Sequence, residues 1–207
     1  MKALTFTLRL ETPLLATQPN AGEPNSAKSY PFIPGSMIRG ALVRAYQQQN
    51  HAQNISDPNG RGHTLFLTEH VRYLNAYPAL SLENESTKRM LPKPLSWFVE
   101  KETAKDETAT ISDYAVKDGN LQKPKSPKGD FCHLASAGSR IGDPRIQVNV
   151  HNASEDRNSK KQGKSQVYRY DALAQGQDFI GVILSDDKDE EALITLSEYL
   201  GGSLFLG

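Results

Sequence analysis

Between about Pro78 and Asp143 the sequence carries neither the alternation of a strand nor the helical spacing of an amphipathic helix. Pro92, Pro94, Pro124 and Pro127 interrupt it, and charged residues fill the gaps. So long a stretch without pattern cannot supply a regular core. The core must be assembled from the two flanks, and residues 79–145 are set apart as an irregular, partly mobile insertion.

The N-terminal flank opens with Leu4, Phe6, Leu8 and Leu10 alternating against Thr5, Thr7 and Arg9. That is period two and predicts a half-buried strand over 3–10. A loop rich in Pro, Asn and Gly follows over 11–34. Met37, Ile38, Ala41, Leu42, Ala45 and Tyr46 then recur at helical spacing, with Ser36 placed to act as N-cap and the helix ending near Gln48. The run Leu65, Phe66, Leu67, Val71, Tyr73 and Leu74 reads as a strand over 65–74.

The C-terminal flank begins with alternating Ile146, Val148 and Val150, which predict a strand leading into a polar turn. Phe179-Ile180-Gly181-Val182-Ile183-Leu184 is short, apolar and β-branched, as a well-buried strand should be. Asp186, Asp187, Asp189 and Glu190 open a second helix, whose apolar face is Leu193, Ile194, Leu196, Tyr199 and Leu200. Gly201-Gly202 ends it, and residues 203–207 read as the start of a last strand. The fold class expected is α+β: a single domain over 1–207 with a ferredoxin-like or RRM-like βαββαβ core, the insertion, and a basic β-hairpin over 146–170.

Net charge is zero, yet the charge is uneven. Residues 121–170 hold ten basic side chains against Asp130, Asp143, Glu155 and Asp156, whereas beyond Asp171 Lys188 stands alone among acids. A basic segment in a neutral chain can bind a phosphate backbone locally. The lone cysteine, Cys132, rules out an internal disulfide and reads as a small buried residue. The N-terminus alternates instead of showing the apolar run of a signal peptide, and no run is long enough to span a membrane, so a cytoplasmic protein is expected.

Three places invite chemistry. Ile33-Pro34-Gly35-Ser36-Met37-Ile38-Arg39-Gly40 feeds a glycine turn into a helix N-terminus, where free N–H groups favour anions. Ala41-Leu42 stands where a nucleotide-binding P-loop needs Lys-Ser/Thr, and a plain turn and cap is an equally available reading. Lys160, Lys161 and Lys164 lie in a polar loop followed by Tyr168-Arg169-Tyr170. Such cations suit phosphates and such tyrosines suit bases, although a solvated hairpin tip has the same composition. The acids from Asp186 to Glu191 lack the ligand alternation of a calcium loop and read as helix capping. His51, His63, His70, His133 and His151 fall at no zinc-ligand spacing, so neither a metal nor a cofactor is expected. His70 and His151 stay open as general acid or base.

Pro31 to Leu42 resembles the "IPGSSLRGAL" signature of the RAMP superfamily of CRISPR proteins. Leu65-Phe66-Leu67 with Val71-Arg72-Tyr73-Leu74-Asn75-Ala76-Tyr77-Pro78, Leu91-Pro92-Lys93-Pro94-Leu95-Ser96-Trp97, and Tyr168-Arg169-Tyr170-Asp171-Ala172-Leu173 through Gly181 resemble further stretches of one branch. That branch is the type III-D subunit similar to the handle-capping, five-group RAMPs. The family closes with a glycine-rich, arginine-bearing loop. Gly201-Gly202-Ser203 agrees with it, but Leu204-Phe205-Leu206 replaces the arginine part. Its members commonly continue into a second RAMP domain beyond the position of Gly207.

The resemblance implies a non-catalytic, RNA-binding subunit of a type III-D CRISPR effector complex in antiviral defence. Its partners would be guide RNA (crRNA), the large polymerase-like subunit and the backbone RAMPs, with target RNA met indirectly and no membrane. The expected RNA contacts are Gly35, Ser36, Met37, Arg39, Gly40 and Arg44 at the helix start, and His151, Arg157, Lys160, Lys161, Lys164, Tyr168 and Arg169 on the hairpin. The alternative is a RAMP endoribonuclease using His70, His151 or Asp178. A third option is a subunit that contacts only proteins, with 79–145 as its docking arm.

Overall fold

The structure is a computed structural model, described over residues 1–19, 26–50, 54–81, 86–106, 109–116, 119–135, 138–153, 166–186 and 190–206. In chain order its elements are β1 (Lys2–Arg9), β2 (Ser26–Lys28), α1 (Gly35–Gln49), α2 (Arg61–Phe66) and β3 (Val71–Tyr73). Short strands follow: β4 (Tyr77–Leu80), β5 (Lys88–Arg89), β6 (Leu91–Pro92), β7 (Trp97–Glu100), β8 (Ser112–Asp113), β9 (Pro124–Lys125), β10 (Phe131–Ala135) and β11 (Gly138–Gly142). The last are β12 (Ile146–Ala153), β13 (Gln166–Leu173), β14 (Asp178–Ser185) and α3 (Glu190–Leu200). The fold is mixed α and β, and it divides into two compact units: Met1–Ala76 with Arg145–Gly207, and Tyr77–Pro144.

In the first unit β14 lies between β1 and β3, antiparallel to both. β1 and β14 match over eight residues, from Lys2 opposite Ser185 to Arg9 opposite Asp178. Phe6 sits opposite Gly181, where a Cβ would fall 2.4 Å from the Phe6 ring, so glycine makes room for it. Ile38, Leu42 and Tyr46 of α1 join Phe179 and Ile183 of β14 and Leu196 of α3 in one buried cluster. Asn50, just past α1, donates to the Tyr46 carbonyl at 2.9 Å and to the Tyr199 hydroxyl at 3.1 Å, linking the two helices. A separate ladder pairs β12 with β13 antiparallel and β13 with β2 parallel.

Three expectations are corrected. Residues 65–74 are not one strand: α2 ends at Phe66 and β3 begins at Val71. Leu65 is fully buried while Leu67 is 48% exposed, although a strand would put both on one face. A short apolar run does not distinguish the two periods. Ser36 is not the N-cap, because Pro34 occupies that position at φ −59° and no side chain caps it. The acids expected to open α3 are described only in part: the Asp186 carboxylate accepts from His70 Nδ1 at 3.1 Å, Glu190 is the first described residue of the helix, and Asp187 and Asp189 lie outside the described residues. Finally, residues 203–206 form no strand. Leu204 and Leu206 pack on the core, while Phe205 turns outward over the Arg44 guanidinium, 5.1 Å from its ring centre.

The second unit is built from strands of two to five residues: β10 between β11 and β6, β7 between β8 and β9, and β4 beside β5. Met90, Trp97, Val99, Ala104, Phe131 and Cys132 are among its buried side chains. Trp97 Nε1 donates to Asp113 at 3.3 Å, and the Glu100 carboxylate accepts from the backbone of Gln122 and Lys123. Burial pushes the Cys132 thiol up, against a smaller opposing pull from Lys93, which fits a small apolar side chain better than a nucleophile. Among the described residues no helix is long and apolar enough to cross a membrane.

Candidate nucleic-acid interface

The start of α1 packs tightly on β3. A Cβ on Gly35 would fall 2.0 Å from the Tyr73 carbonyl oxygen, so only glycine permits this approach. Gly35 N–H donates to Asn75 Oδ1 at 2.9 Å, while the Met37 and Ile38 N–H groups donate to the Pro34 carbonyl at 3.0 and 3.3 Å. The glycine turn is thus a packing device whose first donor is already used, and the anion reading loses that N–H.

What the turn creates is an open cavity of about 430 Å³ beside it. Gly35, Ser36 and Arg39 line it from α1, and Thr68, Glu69, Arg72 and Tyr73 line it from the segment leading through β3. Arg39 and Arg72 are both exposed, and among the described residues neither makes an ion pair. Tyr73 forms the wall, its hydroxyl donating to the Leu65 carbonyl at 3.1 Å. Burial pushes that phenol well above its usual range, with Arg39 pulling back. It stays a neutral donor. Gly40 is exposed one turn on, Met37 is half-buried, and Arg44 is already engaged by Phe205.

The second region is the hairpin. β12 and β13 pair from Ile146 opposite Leu173 to Ala153 opposite Gln166. Directly opposed residues share a face. His151 and Tyr168 are opposed, and so are Asn149 and Tyr170; the His151 and Tyr170 rings lie 5.6 Å apart. Arg169 is on the other face, opposite Val150, and there it binds Asp171 at 2.8 and 3.2 Å. Val148, Val150 and Val167 share that face and are each about half exposed or more, at 50, 61 and 51%. The pleat therefore separates Arg169 from its sequence neighbours Tyr168 and Tyr170, and Asp171 offsets its charge. Arg157, Lys160, Lys161 and Lys164 lie outside the described residues.

Of the open catalytic candidates, His70 has an oriented ring. Its bond to Asp186 holds that carboxyl below its usual range, helped by the nearby Arg72. Asp178 faces Arg9 at 3.4 Å. No three His, Cys, Asp or Glu side chains cluster in metal-holding fashion among the described residues. Sequence reasoning missed Arg72, Thr68 and Asn75. The available signal was Gly35 itself, a glycine at a helix start where φ does not require one.

No family model matches the sequence, and no curated protein matches it either. Solved structures do match. A chain in a cryo-EM structure of type III-B Cmr-beta in the apo state superposes with a TM-score of 0.52 at 14% identity, covering 99% of this chain and 92% of that one. The two share a fold. A chain of type III-B Cmr-beta bound to cognate target RNA gives 0.49 at 11% identity, over 100% of this chain and 92% of the other. One from a type IV-B CRISPR complex gives 0.45 at 9% identity, over 96% and 79%.

Proposed function

We propose that this chain is a non-catalytic RNA-binding subunit of a CRISPR effector complex of type III-D. It holds guide RNA at the repeat-derived five-prime handle, and its core is the ferredoxin-like arrangement without a described closing strand. The carrying observation is the β12–β13 hairpin. Its pleat gathers His151, Tyr168 and Tyr170 on one face, and the segment joining its strands carries Arg157, Lys160, Lys161 and Lys164 in sequence. Stacking rings beside cations suit single-stranded RNA, which presents base faces and phosphates together. The fold shared with a chain of type III-B Cmr-beta agrees with this reading. The test is to purify the tagged chain from its own host and sequence the RNA that accompanies it. Repeat-spacer RNA together with type III subunits is the expected result. Recovery of the chain with neither would defeat the proposal.

One observation favours the endoribonuclease reading: the His70 ring is held by Asp186, as a general base is held by its orienting carboxylate. Cleavage of bound RNA by the purified chain, lost on His70→Ala, would replace the non-catalytic role.

A further inference from the structure

We propose that Arg39 and Arg72 together grip one phosphate of the bound RNA, with the glycine start of α1 serving as the spacer that sets this clamp. The inference rests on the RNA-binding reading above and moves its helix-end contact from backbone N–H groups to two side chains.

Three observations lead there. Gly35 N–H is taken by Asn75, and the Met37 and Ile38 N–H groups turn back to Pro34, so the terminus offers an anion little of its own. Two arginines from different elements line one cavity, and neither is in an ion pair among the described residues. Glu69 is the one acid on the cavity wall, which leaves a single excess positive charge for the single negative charge of a phosphodiester. Asp186 interacts electrostatically with Arg72, but it is not on the cavity wall, and its carboxylate is hydrogen-bonded to His70 and makes no ion pair with either arginine.

The spacing explains why glycine is needed. Any Cβ at position 35 would strike the Tyr73 carbonyl and push α1 away from β3. Arg39 rides on α1 and Arg72 on β3, so that shift would open the clamp. Guanidinium forks suit phosphate oxygens because their donors lie in one plane at matching spacing. Ser36 and Thr68 belong to the same lining, although the Thr68 hydroxyl already donates to the Thr64 carbonyl at 2.7 Å. Asn75 acts as a positioning residue: it touches no ligand and fixes the helix start through Gly35.

The experiment is fluorescence anisotropy of the full chain with a labelled single-stranded repeat-spacer RNA across a salt series. Both arginines are exposed, so Arg39→Gln and Arg72→Gln leave the fold intact. Each is expected to weaken binding about tenfold, as for a hydrogen bond to a charged group. One shared phosphate makes the double variant weaker by less than the product of the single losses. It also lowers the slope of log affinity against log salt by about 0.7, one phosphate's worth on a single strand. A fall of about twice that in the double variant means two separate phosphates and overturns the clamp. Unchanged affinity and slope in both variants also overturn it, while leaving RNA binding standing. A wild-type chain that binds no RNA overturns the clamp and the function together.

Discussion

The lip of α1 and the β12–β13 hairpin face the same expected ligand but are built on opposite terms. At the lip, a buried glycine, a backbone collision distance and an Asn75 bond fix the elements before any ligand arrives. On the hairpin, the ladder is regular, with exposed valines on one side and, on the other, an exposed His151 beside half-buried Tyr168 and Tyr170. Function at the lip is therefore tied to stability, and function on the hairpin is not. A preset site loses little entropy on binding, whereas an open platform depends on the strength of each contact.

The sharpest way to break this contrast is Gly35→Ala. The added methyl group meets a carbonyl that cannot move without disrupting β3, so a loss of about 3 kcal/mol is expected, as for severe overpacking. Thermal unfolding should show a melting temperature lower by roughly 6–12 °C. A variant as stable as the parent would mean that the lip is not preset. Next in size is the combined Lys160→Glu, Lys161→Glu and Lys164→Glu variant. RNA affinity should fall on the order of a hundredfold, and the salt slope by about 2, with no change in melting temperature. Lost stability there would erase the distinction between the regions. Smallest is Tyr168→Ala, which removes one stacking surface. About tenfold weaker binding at an unchanged salt slope is expected in the same titration. A changed slope would mean that Tyr168 acts through the neighbouring cations instead of through a base.

Long elements were legible in the sequence because their periods repeat often enough to be read. β1 was visible from the alternation of Leu4, Phe6 and Leu8, and α1 from the spacing of Ile38, Leu42 and Tyr46. Leu65 and Phe66 misled because a single helical turn and a short strand carry the same apolar run. In the second unit four of the eight strands are two residues long, below any period, and their pairing is set by partners far along the chain. At the lip, Arg39 was accessible through its motif, but Arg72 gains meaning only when β3 approaches α1. No local pattern encodes that approach. The hairpin residues were legible as a group, but their split between two faces follows from register, which the sequence alone did not specify.

The pairing of β1 with β14 also has a consequence in time. Phe6 and Gly181 are partners 175 positions apart, and among the described residues β1 pairs with no other strand. At a synthesis rate of about 5–20 residues per second, the first strand leaves the ribosome roughly 10–35 s before its partner exists. Through that interval Leu4, Phe6 and Leu8 remain an apolar strand without its ladder, a form prone to mispairing with other chains. Closure of this sheet is thus a late, high-contact-order step, and Gly181, which admits the Phe6 ring, is the position on which that final docking turns.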